Sequence, residues 1–102
     1  MARIALLCPD LLFGSKLQSA FVGAGHEVVG FDTPADLVVV DLTADAEERI
    51  EAAAKTRLPT LAFYSHVERD VRDRAREAGI DRVVPRSHMA REAVALVEAL
   101  LA

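Results

Sequence analysis

The chain has 102 residues, enough for one domain built around one core and too few for a second. It is 52% apolar and 27% charged, a balance that excludes a disordered chain. At a net charge of −4 it is not drawn to phosphate backbones or anionic lipid, so neither nucleic acid nor membrane is an expected partner.

Ile4 to Cys8 is an unbroken apolar run stopped by Pro9, the pattern of a strand buried on both faces. It is too short to cross a membrane and lacks the layout of a secretion signal. With Cys8 as the one cysteine, no internal disulfide can form, and the cytoplasm is the expected compartment. Phe13, Leu17, Ala20, Phe21 and Ala24 follow at helical spacing, with Asp10 or Ser15 as cap and Gly23 and Gly25 at the end.

His26 to Phe31 reads as a second strand. Only Asp32 to Asp36 separates it from a third, Leu37 to Val40, whose consecutive valines mark a central strand running into Asp41. Asp45-x-x-Glu48 suggests a capping box opening an alanine-rich helix to about Lys55. Pro59 introduces a fourth strand, Thr60 to Tyr64, and Ser65-x-x-Glu68 a second capping box, for a helix with Val67, Val71, Ala75 and Ala78 on one face. Gly79 closes that helix, Arg82 to Val84 is a short fifth strand, and Ser87 begins a last helix to Ala102.

Strands and helices alternate, which implies a parallel sheet with helices on both faces. Ligands of such sheets gather at the carboxyl ends of the strands. The residues there are Cys8, Pro9 and Asp10; Asp32; Asp41; Tyr64, Ser65 and His66; Pro85, Arg86 and Ser87.

Asp41 is the most informative, because a carboxylate directly after four apolar residues must find a partner at the edge of the core. Asp10, Ser65 and Arg86 are the partners that chain order offers. Two carboxylates can hold Mg²⁺, and an arginine fork can bind a carboxylate or a phosphoryl group. One reading is therefore a phosphoryl-accepting Asp41, with Ser65 and Arg86 sensing the product. The other is a strand-end Asp41 paired with Arg86, with Ser65 only capping its helix.

Three stretches, Asp36-Leu37-Val38-Val39-Val40-Asp41-Leu42, Pro59-Thr60-Leu61-Ala62-Phe63 and Ala78-Gly79-Ile80-Asp81-Arg82-Val83-Val84, together resemble the CheY-like receiver domain of two-component signalling. The resemblance spans nearly the whole chain. It implies a flavodoxin-like three-layer α/β sandwich over residues 1–102, with a five-stranded parallel sheet of order 2-1-3-4-5. It also implies a phosphorelay module rather than a turnover enzyme, with Asp41 phosphorylated in the presence of Mg²⁺ held by Asp10 and Asp41. Ser65 would contact the phosphoryl oxygens and Arg86 would pair with the acceptor, while Cys8, His66 and Ser87 would line the site. A histidine kinase or a downstream target would be the protein partner, and two copies could pair through the last helices. With no effector segment after Ala102, the module is expected to stand alone.

The departures from the family pattern are specific. The acidic pair at the end of strand one falls on Cys8 and Pro9, with Asp10 one place late; the switch hydroxyl falls on Tyr64, with Ser65 one place on; and Arg86 replaces a lysine. The helix between strands two and three is missing. These changes open the alternative of a pseudo-receiver that binds its partner without phosphoryl chemistry.

Two rivals remain. Cys8 at a strand end facing a helix start resembles the phosphocysteine of sugar phosphotransferase IIB domains, where the helix dipole would lower the thiol pKa. Gly14 stands where the phosphatase pattern needs arginine, and Pro9-Asp10-Leu11-Leu12-Phe13 is a poor phosphate cradle, so a buried structural thiol is the better reading of Cys8. Gly25 to Asp32 resembles the ribose-binding strand of dinucleotide domains, but the glycine-rich turn such domains require is missing. His26, His66 and His88 lack metal-ligand spacing and are expected in solvated or capping roles, with His66 and His88 near the Asp41 rim.

Overall fold

The computed structural model describes residues 1–102 in full. In chain order the elements are β1 (Arg3–Leu7), α1 (Leu11–Gly23), β2 (Glu27–Val29), β3 (Leu37–Asp41), α2 (Ala46–Thr56), β4 (Thr60–Tyr64), α3 (Arg69–Glu77), β5 (Arg82–Pro85) and α4 (Arg86–Leu101). The five strands form one parallel sheet in the order β2-β1-β3-β4-β5, as expected from the resemblance. Between Val29 and Leu37 there is only turn and bend, so no helix joins β2 to β3.

Alternation along the strands sorts the core into two halves. Ile4, Leu37, Val39, Leu61, Phe63 and Val84 face one side, where Phe13, Leu17 and Phe21 of α1 and Met89, Leu96 and Val97 of α4 cover them. Ala5, Val38, Val40, Ala62, Tyr64 and Val83 face the other, beneath Ile50 and Ala53 of α2 and Val71 and Ala75 of α3. Every residue of β3 and β4 is buried, which is why both read as nearly continuous apolar runs. No helix is long and apolar enough to cross a membrane.

Helix starts differ from the sequence expectation. Asp10 does cap α1, its carboxylate accepting the Phe13 N–H at 3.0 Å. Asp45 does not cap α2: it sits at φ 50°, a left-handed conformation uncommon for a non-glycine residue, and makes no side-chain cap bond. Ser65 does not cap α3 either. A turn closed by the Glu68 N–H on the Ser65 carbonyl delays that helix to Arg69, leaving Val67 outside it and exposed. The last helix begins one residue early, at Arg86, and breaks helical geometry at Glu92.

Candidate functional site

Asp41 closes the central strand, paired with Phe63 of β4 in register, and its side chain is only 5% exposed. One carboxylate oxygen, Oδ1, accepts both the Thr43 N–H at 2.8 Å and the Thr43 hydroxyl at 2.6 Å. This is the local turn that Asp favours by bonding the backbone two residues on. The second oxygen, Oδ2, lies 3.9 Å from the Arg49 guanidinium and 3.8 Å from the Cys8 thiol. Arg49, reaching back from the first turn of α2, also donates to the Asp41 carbonyl at 2.9 Å and lies 3.6 Å from the Asp45 carboxylate.

Arg86 lies in a second group. Its guanidinium is 3.1 Å from the Asp10 carboxylate and 4.4 Å from the centroid of the Phe13 ring, which packs edge-on against Phe63 at 5.1 Å. The Phe13 amide, and next the Arg86 charge, hold the Asp10 carboxyl below the usual carboxylate range.

The expected single constellation of Asp10, Asp41 and Arg86 is thus divided. Arg86 pairs with Asp10, while Asp41 pairs with Thr43 and Arg49. The cause is the one-residue delay of the acid after β1. With Pro9 intervening, Asp10 falls on the N-cap of α1, where a backbone amide claims its carboxylate. Arg49 and Thr43 escaped the sequence reading, although Asp41-x-Thr43 is a turn signal and Asp45 and Arg49 have the i,i+4 spacing of a helical ion pair.

Cys8 stands between the two groups, its thiol 3.8 Å from the Asp41 carboxylate and 3.9 Å from the Asp10 carbonyl. Burial, and next the Asp41 charge, push the thiol up to about 11, in keeping with a structural thiol and opposite to the lowering by a helix dipole that the phosphocysteine rival would need. The phosphocysteine chemistry considered for it needs a thiolate, which this environment opposes.

Ser65, His66 and Ser87 share one cavity, which neither Asp41 nor Cys8 lines. With Thr43, Phe13 and Arg86 they line an open cavity of about 670 Å³ over the ends of β3, β4 and β5. His88 does not join them and instead pairs with Glu92 at 2.7 Å. His26, expected in a solvated or capping role, is buried between the Ala2 N–H and Glu98.

The donors present do not fit a divalent metal. No three His, Cys, Asp or Glu side chains converge. The two expected ligands are each committed, Asp10 to an amide and a guanidinium, Asp41 to Thr43 and Arg49. Mg²⁺ keeps several waters and needs only one or two carboxylates, but those must be free to face it together, and here Asp10 and Asp41 are turned to different partners.

No protein-family profile matches the sequence, and no curated protein does. Solved structures do match. The receiver domain of the TMAO respiratory system response regulator TorR superposes with a TM-score of 0.85 at 21% identity, covering 99% of this chain and 97% of that one. The receiver domain of the Francisella response regulator 1452 gives 0.81 at 13% identity, covering 98% and 96%. The phosphorylated cyanobacterial phytochrome response regulator RcpA gives 0.79 at 15% identity, covering 99% and 94%. The fold of this chain is the CheY-like receiver fold.

Proposed function

We propose that the chain is a receiver-type signalling module that acts by contact with a protein partner and transfers no phosphoryl group to Asp41. One observation carries this: both oxygens of the Asp41 carboxylate are engaged inside the protein, Oδ1 by two Thr43 donors and Oδ2 by Arg49 and Cys8. An acyl phosphate forms by attack of a free carboxylate oxygen, with positive charge supplied at the transferring group. Here Oδ1 is held by two short hydrogen bonds, Oδ2 faces a guanidinium at 3.9 Å and a thiol at 3.8 Å, and Asp10, the second acid, is turned to Phe13 and Arg86. The contact surface is the rim itself, where exposed Leu11 and Leu12 adjoin Asp10 and exposed Val67 adjoins His66. A cytoplasmic histidine kinase or a downstream target is the partner class this fold suggests.

A second reading keeps Asp41 as phosphoryl acceptor, and one observation favours it. The cavity beside Thr43 gathers Ser65, His66, Arg86 and Ser87, donors suited to phosphoryl oxygens.

Incubation with acetyl phosphate and Mg²⁺, followed by intact-mass measurement, decides between the two. The proposal expects an unchanged mass. Gain of one phosphoryl group, abolished by Asp41→Asn, would establish the second reading instead.

A further inference from the structure

The positive charge at Asp41 comes from the chain itself. Arg49 is the one basic side chain within ion-pair range of the Asp41 carboxylate. Its own side chain is 13% exposed, so neither partner is freely solvated. It is anchored at three points: the Asp41 carbonyl at 2.9 Å, the Asp41 carboxylate at 3.9 Å and the Asp45 carboxylate at 3.6 Å. The backbone supports this reach. Asp45 takes up its left-handed φ of 50° immediately before α2, and the Arg49 N–H donates to the Asp45 carbonyl at 3.1 Å, placing Arg49 one turn into the helix and over the strand end.

A guanidinium keeps its charge at all working pH values, whereas a bound metal exchanges with solvent. At about 4 Å and a surface-like effective dielectric, a fixed unit charge alters the binding of a second cation by several powers of ten.

We propose that Arg49 is the resident counter-ion of Asp41, neutralising the strand-end carboxylate in place of a divalent cation and keeping such cations out. The proposal rests on the reading above only for the identity of the site. Its test uses metal without a phosphodonor, so each idea can fail alone.

The experiment is a Mn²⁺ titration of the ¹⁵N-labelled protein, reading paramagnetic broadening of the Asp41, Leu42 and Thr43 amides. Wild type is expected to show no broadening confined to these amides. Arg49→Gln is expected to bind Mn²⁺ there at least tenfold more tightly, and Asp41→Asn in the Arg49→Gln background to lose that binding. Local broadening in wild type, or an Arg49→Gln protein indistinguishable from it, overturns the proposal.

Should Arg49→Gln fail to fold, Arg49→Lys serves through its unfolding equilibrium. Asp41→Asn leaves the largely buried guanidinium with only the Asp45 carboxylate and the backbone carbonyl of residue 41 as partners, and lowers the folding constant about tenfold. In the Arg49→Lys background the flexible ammonium can turn to solvent, and the loss is smaller. Equal losses in both backgrounds would also overturn the assignment.

Discussion

Arg86 holds its guanidinium against both the Asp10 carboxylate and the Phe13 ring, so the first residue of α4 closes over the first turn of α1. This contact joins two elements 76 residues apart at the rim of the sheet. It also determines which acid the arginine serves.

The acid limb of stability follows from Asp10. The Phe13 amide and the Arg86 charge depress its carboxyl, so its contribution is present above the ordinary Asp value of about 4 and is lost as pH falls through the lower folded value. Asp10→Asn keeps a capping side chain but has nothing to protonate. Urea midpoints between about pH 6 and about pH 2 should therefore fall more steeply for wild type than for Asp10→Asn. Parallel profiles would mean that Asp10 is not held as described.

Cys8 governs the opposite limb and supplies a kinetic readout. With the thiol pushed up to about 11, it is neutral near pH 8, and iodoacetamide should label the folded protein on the order of a hundredfold more slowly than the unfolded one. Because the Asp41 charge is the second cause of that rise, Asp41→Asn should speed the labelling severalfold without unfolding the chain. A raised folded value stabilises the protein below the unfolded thiol's value of about 8.5 and ceases to do so as pH climbs through about 11. Cys8→Ala should lack that alkaline loss. Labelling of native protein as fast as that of unfolded chain would contradict the arrangement.

Thr43 is the donor that fixes the rotamer of Asp41. Thr43→Val keeps the shape and the backbone N–H but removes the hydroxyl bonded at 2.6 Å, and should destabilise the fold by about 1–2 kcal/mol in chemical denaturation. Thr43→Ser keeps a hydroxyl and should stay closer to wild type. A Thr43→Val protein as stable as wild type would show that the Oδ1 bond is dispensable.

The architecture was legible from the chain because β3 and β4 are buried on both faces. Val38 to Val40 and Leu61 to Phe63 must be apolar whichever side they face, and such runs stand out in a sequence. The Asp32–Asp36 stretch was likewise too short to hold a helix between β2 and β3. Helix starts were less legible. Asp45 and Ser65 both head a capping-box pattern, yet a left-handed residue at one and an extra turn at the other leave both boxes unmade. A three-residue spacing permits a cap without compelling the backbone to form one.

The chain by itself determined the strand order's ingredients and delivered Asp10, Asp41, Ser65 and Arg86 to one rim, because parallel β/α units put every strand's carboxyl end on the same side. Which of these groups touch was decided only in three dimensions. Asp10 turned to a helix amide, Arg86 to Asp10 and an aromatic face, and Arg49 reached Asp41 from a helix that was expected but at a position no motif had singled out. Pairing among charges at a sheet edge depends on side-chain reach over a few ångströms, and the strength of an ion pair falls steeply once hydrogen-bond distance is lost. Residue order fixes the neighbourhood of such groups; packing chooses the partner.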